Sequence, residues 1–306
     1  METIRPCGCK GIRTCLICEE QFNIPRVEFA SDLQKKACFV YCLYCDKAWR
    51  GWDSNSYMEH PNHNGESISF PGVYIKPDFL TDAEAASMLT NLDSLRWELS
   101  QSGRRKQNYG PKCNFKKRRL RIGDFCGFPG STKSIQDKLS EVPLLQNFQT
   151  VEQCSLEYDP SRGASIDPHI DDCWIWGERI VTVNILGDTV LTMTVYDGKS
   201  SRYNLEDVPS YPPVVKESNE GKPFDIVEFQ NSQYKKDIVV RLPMPAKSLM
   251  VLYGEARYGW EHSVLREDIN SRRVCLAYRE LTPPYLPNGK NFSESVEILE
   301  KARMFW

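Results

Sequence analysis

The sequence predicts a mainly β fold with flanking helices, preceded by a small cysteine-rich module. Between residues 150 and 282 the chain contains short runs rich in β-branched and aromatic residues, among them RIVTVNIL, TVLTMTVY, KDIVVRL, SLMVLY and RRVCLAYREL. Turn residues such as Gly187 and Gly254 separate these runs. Many short strands without intervening helices are typical of a β-sandwich or a barrel. Seven of the twelve cysteines lie in the first 45 residues, which sets that segment apart.

The composition is that of a soluble globular protein of moderate size. The 306 residues are enough for one large domain and a small module, and 41% of them are hydrophobic while 26% are charged. The chain has no apolar run of about eighteen residues, and its first residues, METIRPCGCKG, lack the apolar core of a signal peptide. We therefore expect no membrane partner and a cytoplasmic and nuclear location, where thiols stay reduced.

The N-terminal cysteines have the spacing of metal ligands. A CxxC pair brings two thiolates to the same side of a tight turn, and four such ligands form a closed structural zinc site. The candidates are Cys7, Cys9, Cys15, Cys18, Cys38, Cys42 and Cys45. His60 and His63 could complete the ligand sets if two sites form. Zinc is favoured over an iron–sulfur cluster because no ferredoxin spacing is present. The alternative is a set of buried free thiols.

Changes in composition divide the chain into four segments. They are a cysteine-rich module and linker at 1–65, an extension at 66–149, the β-rich core at 150–285 with a polar insertion at about 198–236, and a C-terminal helix at 286–306. In the extension, TDAEAASMLTNLDSLRWEL predicts a helix that begins with a capping box of Thr81 and Glu84. Its apolar stripe predicts one face packed on the core.

The run IDPHIDD contains one of only four histidines, His169, close to two aspartates. Side chains two apart in a strand share a face, so His169 and Asp171 can point at one ion while Asp172 points away. His262 is a candidate for the third ligand. Two histidines and one carboxylate on one side of an iron leave open positions, as in non-haem Fe(II) oxygenases. An HxD triplet alone arises by chance in many chains.

A pair of arginines follows His262 in the run RRVCLAYR. Arg273 and Arg279 are six residues apart and therefore share a face of a strand, with the small residues Cys275 and Ala277 between them. Arginine stays protonated and binds carboxylates bidentately, so this face suits a small dicarboxylic acid. The alternative is an exposed edge strand with solvated charges.

Together these motifs resemble the AlkB-like Fe(II)/2-oxoglutarate dioxygenases. The resemblance runs from YDPSRGASIDPHIDD through IVTVNILGDTVLTM and SLMVLYGEARYGWEHSV to RRVCLAYRE, over roughly residues 150–280. The runs CGCKGIRTCLICE and LSQSGRRKQNYGPK are similar to the AlkB homolog 4 branch in particular, which extends the resemblance over nearly the whole chain. It implies a double-stranded β-helix (jelly-roll) dioxygenase core behind an N-terminal cysteine-rich zinc module.

The resemblance also implies roles for individual residues. The iron ligands would be His169, Asp171 and His262. Arg273 would grip the distal carboxylate of 2-oxoglutarate, Arg279 would reach toward its iron-bound end and the substrate, and Tyr158 would contact the cosubstrate. The chain departs from the family at Leu156, where asparagine is common, so a polar contact to the cosubstrate is lost or supplied elsewhere. Two extra residues between Tyr158 and His169 are a second departure.

The activity that the resemblance implies is oxidative demethylation, with release of formaldehyde and succinate. Residues 103–121 contain nine Lys or Arg and no acidic residue, and they resemble a substrate lid; the lid residues would include Arg104, Arg105, Lys106 and Tyr109. The alternative is a solvated basic loop. The resemblance to the AlkB homolog 4 branch implies that the substrate is monomethyl-lysine in actin, and hence that the protein regulates actomyosin and cytokinesis. N6-methyladenine in DNA is a second substrate class, and a non-enzymatic zinc-binding interaction protein is a third hypothesis.

Overall fold

The computed structural model describes residues 5–26, 28–215 and 237–306. Most of the predicted insertion at about 198–236 therefore lies outside the described residues. The helices are α1 (Leu16–Phe22), α2 (Ala30–Leu33), α3 (Asp82–Ser94), α4 (Lys133–Ser140), α5 (Gly254–Tyr258) and α6 (Val296–Lys301). In the part of the chain that is described, no helix combines the length and the apolar character needed to cross a lipid bilayer.

Sixteen strands account for most of the remaining regular structure in the described residues. They are β1 (Ala37–Tyr41), β2 (Lys47–Arg50), β3 (Ser67–Ser69), β4 (Val73–Lys76), β5 (Glu98–Leu99), β6 (Arg105–Tyr109), β7 (Lys112–Asn114), β8 (Arg119–Arg121), β9 (Glu152–Tyr158), β10 (Ile166–His169), β11 (Trp176–Leu186), β12 (Thr189–Val195), β13 (Ile238–Met244), β14 (Leu249–Leu252), β15 (Trp260–Val264) and β16 (Arg273–Leu281). The β-rich runs of the sequence are confirmed as strands.

Two seven-stranded sheets and one hairpin contain all of these strands. Sheet I has the order β10-β15-β12-β13-β1-β2-β3, and sheet II has the order β4-β14-β11-β16-β9-β6-β5; β7 and β8 form the hairpin. From β9 to β16 the chain passes repeatedly between the two sheets, and neighbouring strands of this set are antiparallel. This winding is that of a double-stranded β-helix, the jelly-roll fold.

The two faces of sheet II are buried by different layers. In β11, Ile180 packs in the cluster between the sheets, whereas Val181 and Val183 pack against helices α3 and α4. Alternation of neighbouring side chains between the faces of a strand produces this division. In β16, Val274, Leu276 and Tyr278 also face the helices, which leaves the opposite face of β16 toward the interior of the jelly roll.

Helix α3 begins where the sequence predicted. The Thr81 hydroxyl accepts a hydrogen bond from the backbone N–H of Glu84, and the Glu84 carboxylate accepts one from the backbone N–H of Thr81. This capping box satisfies two N–H groups that the first turn leaves without partners. Ala85, Met88 and Leu92 from the predicted apolar stripe are buried. The helix and its packing face are therefore confirmed.

The N-terminal segment is joined to the core through sheet I. We expected residues 1–65 to form a cysteine-rich metal-binding module and linker; within them β1 and β2 belong to sheet I, which β3 extends. Strand β1 pairs in parallel with β13, with Ala37 opposite Ile238. The backbone groups on this edge of β13 would otherwise lack partners, and β1 satisfies them. The metal-ligand segment and the core therefore share one sheet.

A buried carboxylate connects sheet II to the segments around it. Glu157 on β9 is 1% exposed, and its two oxygens accept hydrogen bonds from the guanidinium groups of Arg105, Arg162 and Arg272. Burial alone would raise the pKa of Glu157, but the hydrogen bonds from Arg105 and Arg272 outweigh it and lower the pKa to about 2. The carboxylate is therefore ionised in the folded protein at neutral pH.

We expect Glu157→Gln to lower the free energy of unfolding by roughly 3 kcal/mol at pH 7, since it leaves three guanidinium groups without their buried partner. The folded-state pKa of Glu157 lies below its ordinary value of 4.5, so its stabilising contribution is present above about pH 4.5 and is lost as the pH falls toward about 2. Denaturant unfolding at several pH values measures both effects. Glu141→Gln, at an exposed position, is the control; equal stability of the two variants would contradict this role.

Candidate active site

The two histidines predicted to share a site lie directly opposite each other in sheet I. Strands β10 and β15 are antiparallel, and His169 is the cross-strand partner of His262. The centroids of the two imidazole rings are 4.2 Å apart. Residues in this relation have their Cβ atoms on the same face of a sheet, so the pairing register brings the two rings together.

Asp171 joins this pair from the loop that follows β10. Its Oδ2 atom lies 3.9 Å from Nε2 of His262, and the side chain is 8% exposed. Asp172 points the other way, as predicted. Its Oδ1 atom accepts hydrogen bonds from the side-chain amide of Asn204 and from the backbone N–H of Trp174. Asp172 thus fixes the loop, while Asp171 faces the imidazoles.

The surroundings set the protonation of these three side chains. Burial lowers the pKa of His169, and burial together with the neighbouring His169 lowers the pKa of His262 well below its usual value. For Asp171 burial opposes ionisation, but the charge of Arg279 outweighs it and lowers the pKa. Two neutral imidazoles and one carboxylate are the forms that bind a metal ion.

Two further observations fit a metal ion at this position. Nδ1 of His169 lies 2.9 Å from the carbonyl oxygen of Asp167, which can only accept, so Nδ1 carries the proton and the Nε2 lone pair is available. Oδ2 of Asp171 is buried and has no hydrogen-bond partner in the described residues. A buried carboxylate oxygen without a partner is costly, and a cation would satisfy it.

The three side chains are nevertheless less tightly grouped than the N-terminal thiols. Within the described ranges, ligand atoms all within 4.8 Å of one another occur in two groups, and both are N-terminal. The other oxygen of Asp171, Oδ1, accepts hydrogen bonds from Nε and a terminal nitrogen of Arg279 at 3.0 and 2.8 Å. Arg279 therefore holds the carboxylate from one side, and a metal ion would have to draw the three ligands inward.

Arg273 lies on the interior face of β16 beside the predicted Tyr158. Its guanidinium group is 4.8 Å from the centroid of the Tyr158 ring, and Arg273 and Tyr158 are cross-strand partners. Nε of Arg273 donates to the side-chain oxygen of Asn184 on β11 at 2.9 Å. No ion pair joins Arg273, which is 2% exposed, to a carboxylate of the described residues. A buried cation without a carboxylate is suited to an anionic ligand.

Asn184 was not among the predicted site residues. Its amide nitrogen donates to the carbonyl oxygens of Met244 and Pro245, which directs its oxygen toward Arg273. A polar residue at the centre of the apolar run IVTVNIL was the signal in the sequence. Leu156, where the family often has asparagine, packs among the apolar residues beside Tyr158 and Cys275. Asn184 thus supplies a polar contact near the arginine that Leu156 cannot supply.

Arg279 bridges two carboxylates. Besides Asp171, it binds Glu152, which is its cross-strand partner on β9, and its guanidinium group lies 5.7 Å from the centroid of Trp176. Glu152 was not predicted, because its relation to Arg279 depends on the pairing of β9 with β16. Arg279 therefore lies between Asp171 and a groove on the protein surface.

The groove beside Arg279 has a volume of about 860 Å³ and lies between β6, the β7–β8 hairpin and the C-terminal residues. Glu152 and Trp176, which both contact Arg279, are among the lining residues. The aromatic lining consists of Tyr109, Phe115, Phe125, Trp176 and Trp306, and the carboxylates are Glu98, Asp124 and Glu152. Lys106 and Lys112 also line the groove, but Lys112 pairs with Asp124.

The predicted lid at 103–121 forms strand β6 of sheet II and the β7–β8 hairpin, and its residues have different surroundings. Lys106 and Tyr109 line the groove. Arg105 points to the opposite face, where Glu157 binds it, so Arg105 does not face the groove. Arg104 lies 5.9 Å from the centroid of Tyr158, near the cosubstrate residues. Neighbouring side chains of a strand point to opposite faces, which separates Arg105 from Lys106. Tyr109 reaches the groove from the end of β6, although its position is an even number of residues from Arg105.

Six of the seven predicted zinc-ligand cysteines fall into two groups. Cys7, Cys9, Cys15 and Cys18 form the first group, and Cys42 and Cys45 join His60 and His63 in the second. Cys38 belongs to neither, which corrects its inclusion in the ligand set. Its thiol donates to the carbonyl oxygen of Leu33 and packs in a cluster with Leu33, Val239 and Leu265. It lies on β1, and its side chain is part of the sheet's packing.

The jelly roll, the two histidines with a carboxylate, and the buried Arg273, which pairs with no carboxylate of the described residues, define the class of non-haem Fe(II) oxygenases that take a dicarboxylic cosubstrate. No family model matches the chain. It is 42% identical over 303 residues to mouse "Alpha-ketoglutarate-dependent dioxygenase alkB homolog 4", covering 99% of this chain and 95% of the mouse protein. The human protein of the same name is 41% identical over 305 residues, again with 99% and 95% covered.

A third relative is a Caenorhabditis elegans protein named "DNA N6-methyl adenine demethylase". It is 30% identical over 309 residues, which cover 96% of this chain and 91% of the worm protein. The chain belongs to the AlkB homolog 4 family of 2-oxoglutarate-dependent dioxygenases. It is therefore an enzyme that uses Fe(II) and 2-oxoglutarate, and the resemblance noted in the sequence is confirmed.

Proposed function

We propose that the chain is an oxidative N-demethylase whose preferred substrate is monomethyl-lysine in a protein, with actin as the first candidate. The observation that carries the proposal is the groove beside Arg279, where aromatic rings and carboxylates occur together. Aromatic faces and carboxylates attract a methylammonium cation, and they give no such attraction to a phosphate. The choice of actin rests on the resemblance to the AlkB homolog 4 branch.

The reaction consumes one O₂ and one 2-oxoglutarate for each methyl group. The methyl carbon is oxidised and leaves as formaldehyde, nitrogen keeps a proton in its place, and 2-oxoglutarate becomes succinate and CO₂. His169, Asp171 and His262 would hold Fe(II), which supplies the oxygen activation when it is bound. Arg273 would seat the distal carboxylate of 2-oxoglutarate, with Asn184 and Tyr158 fixing the guanidinium group.

Arg279 would connect the substrate groove to the metal ligands. Its hydrogen bonds orient Asp171 on one side, and its contacts with Glu152 and Trp176 lie at the groove on the other. Glu152 therefore has one carboxylate oxygen committed to Arg279, while the residue still lines the groove. We assign to Glu152, Trp176 and Trp306, which all line the groove, the task of holding the methylated nitrogen.

N6-methyladenine in DNA is the second candidate substrate, and two observations favour it. One is the name of the Caenorhabditis elegans relative, a DNA N6-methyl adenine demethylase. The other is the β7–β8 hairpin, whose tip carries Lys116, Lys117 and the half-exposed Phe115. Basic side chains can contact phosphates, and an aromatic ring can stack on an unpaired base. A cytoplasmic and nuclear location, as expected from the sequence, would give access to both substrates.

Two matched variants separate these substrates. Trp306→Ala removes an aromatic ring from the groove, and Lys116→Glu with Lys117→Glu reverses charge on the hairpin. The first substrate is a short peptide in which monomethyl-lysine is the only charged side chain. On this peptide, we expect Trp306→Ala to raise KM by about 5- to 30-fold, because a cation–π contact contributes roughly 1–2 kcal/mol. The charge reversal should leave that KM nearly unchanged. Formaldehyde and succinate release measure both.

The same variants are then assayed with single-stranded DNA that contains N6-methyladenine. If DNA is the preferred substrate, wild-type turnover on DNA exceeds turnover on the peptide. The charge reversal then weakens DNA binding and reduces its dependence on salt. Higher turnover on DNA together with this loss of DNA binding would overturn the protein-substrate proposal. Mass spectrometry of actin and of nucleosides, from cells that contain either the active protein or the His169→Ala variant, would identify the physiological substrate.

A further inference from the structure

A second group of metal ligands lies at the far edge of sheet I, away from the histidines of the jelly roll. Cys42 and Cys45 are in the turn between β1 and β2, and His60 and His63 follow the 3₁₀ helix Ser54–Glu59. The four ligand atoms all lie within 4.8 Å of one another. Two ligand pairs, each with a spacing of three residues, thus converge from separate turns. This is the donor set of a Cys₂His₂ zinc site.

One imidazole of this group lacks the partner that its burial requires. Nε2 of His63 is buried and has no hydrogen-bond partner among the described residues. An unpaired buried ring nitrogen is costly unless an ion or a donor satisfies it. The indole of Trp49 stacks on the His63 ring, with centroids 4.9 Å apart and planes 22° apart, and this contact fixes the ring's orientation. A bound cation would complete the site.

The two thiols have the hydrogen bonds expected of metal-bound sulfur. The backbone N–H of Tyr44 points at Sγ of Cys42 at 3.5 Å, and the indole N–H of Trp49 donates to Sγ of Cys45 at 3.4 Å. Donors directed at sulfur stabilise the thiolate, and second-shell contacts of this kind orient metal ligands. Two thiolates and two imidazoles as donors favour zinc over magnesium, calcium or manganese.

The four-cysteine group has different surroundings. The backbone N–H of Ser102 donates to Sγ of Cys9 at 3.2 Å. Around this group, Arg13 pairs with Asp167 on β10, and Glu19 pairs with Arg266 just after β15. The first group therefore docks on the strands of the iron site, whereas the second closes the turn between β1 and β2. Neither group shares a ligand with the other.

We propose that the protein binds two structural zinc ions, one on Cys7, Cys9, Cys15 and Cys18 and a second, independent ion on Cys42, Cys45, His60 and His63. The second ion joins the β1–β2 turn to the segment after the 3₁₀ helix. It thereby holds the outer strands of sheet I, including β1, which covers the edge of β13. The two ions stabilise different parts of the chain.

Metal analysis of the full-length protein after iron removal tests the proposal. Wild-type protein should contain two zinc ions per chain, and His63→Ala, Cys45→Ser and Cys15→Ser should each contain one. Cys38→Ser is the matched control, because Cys38 is a buried thiol on β1 that lies outside both groups, and it should keep two. His169→Ala should also keep two zinc ions, since it alters the iron site alone.

X-ray absorption at the zinc edge supplies a readout that does not depend on how well a variant folds. Wild-type protein should show an average of three sulfur and one nitrogen ligand per zinc, from six thiolates and two imidazoles over two ions. His63→Cys retains a zinc-binding donor, so it should restore the second ion that His63→Ala loses. A single zinc in the wild-type protein with sulfur ligands only, or two zinc ions retained in His63→Ala and Cys45→Ser, would overturn the second site.

Discussion

Asp171→Asn is expected to reduce turnover by about a thousandfold or more. Asparagine presents a neutral amide where the metal requires an anionic oxygen, and a correctly held metal contributes several kcal/mol to catalysis. The variant also weakens the ion pair with Arg279, whose second carboxylate partner, Glu152, remains. Iron content after anaerobic loading and succinate release at saturating 2-oxoglutarate measure the effect.

Asp172→Asn is the matched control for this prediction. The neighbouring aspartate accepts hydrogen bonds from Asn204 and Trp174 through Oδ1, and an asparagine oxygen can accept the same bonds. We therefore expect iron content and turnover near those of the wild type. Equal losses of iron and turnover in both variants would mean that these properties depend on the total charge of the loop after β10, and that Asp171 has no specific role as a ligand.

Arg273→Met is expected to weaken 2-oxoglutarate binding by about 100-fold. A bidentate charge-assisted pair between guanidinium and carboxylate contributes roughly 3 kcal/mol, and methionine fills much of the volume without replacing it. Because Arg273 is buried without a carboxylate partner among the described residues, the substitution leaves no anionic side chain unpaired there. Calorimetric titration of 2-oxoglutarate into Mn(II)-loaded protein measures the affinity.

Two comparisons make the second prediction specific. Arg272→Gln changes the adjacent residue of the chain, which pairs with Asp93 and Glu157 on the opposite face, and it should leave 2-oxoglutarate affinity unchanged. The analogue 2-oxopentanoate lacks the distal carboxylate, so wild-type protein should prefer 2-oxoglutarate strongly while Arg273→Met should not. A variant that keeps the full preference would remove Arg273 from the cosubstrate site.

Local spacing was sufficient for a site feature that lies within one strand. Arg273 and Arg279 share a face of β16 because they are six positions apart. The side chains of Val274, Leu276 and Tyr278 faced apolar packing for the same reason. The alternation of side chains between the two faces of a strand depends only on residue spacing, so it can be predicted from the sequence. His169 and Asp171 also meet, but Asp171 lies in the loop after β10, so the spacing of a strand does not explain its position.

Contacts between distant strands were beyond such reasoning. The pairing of Glu152 with Arg279 and the capture of Arg105 by Glu157 depend on the register of β9 with β16 and β6. The parallel pairing of β1 with β13 joins segments about 200 residues apart, and nothing in the N-terminal sequence indicates it. These contacts are set by the tertiary fold, which decides which faces and edges are covered.

The cysteines show a third limit. Spacing could not separate Cys38 from Cys42, since both precede another thiol at short distance; the fold did so by placing Cys38 on β1 and Cys42 in the turn after it. Asn184 is the opposite case, since a single polar residue in an apolar strand was visible in the sequence and indicated a buried hydrogen-bonding role.

The central claim is that one metal ion lies between His169, Asp171 and His262 with the cosubstrate reaching Arg273. An anaerobic crystal structure with Mn(II) and 2-oxoglutarate, with the manganese located by anomalous scattering, tests it most directly. We expect one peak bonded to all three side chains, with the distal carboxylate on the Arg273 guanidinium. A manganese peak that lacks any one of the three ligands, or a distal carboxylate bound away from Arg273, would contradict the claim.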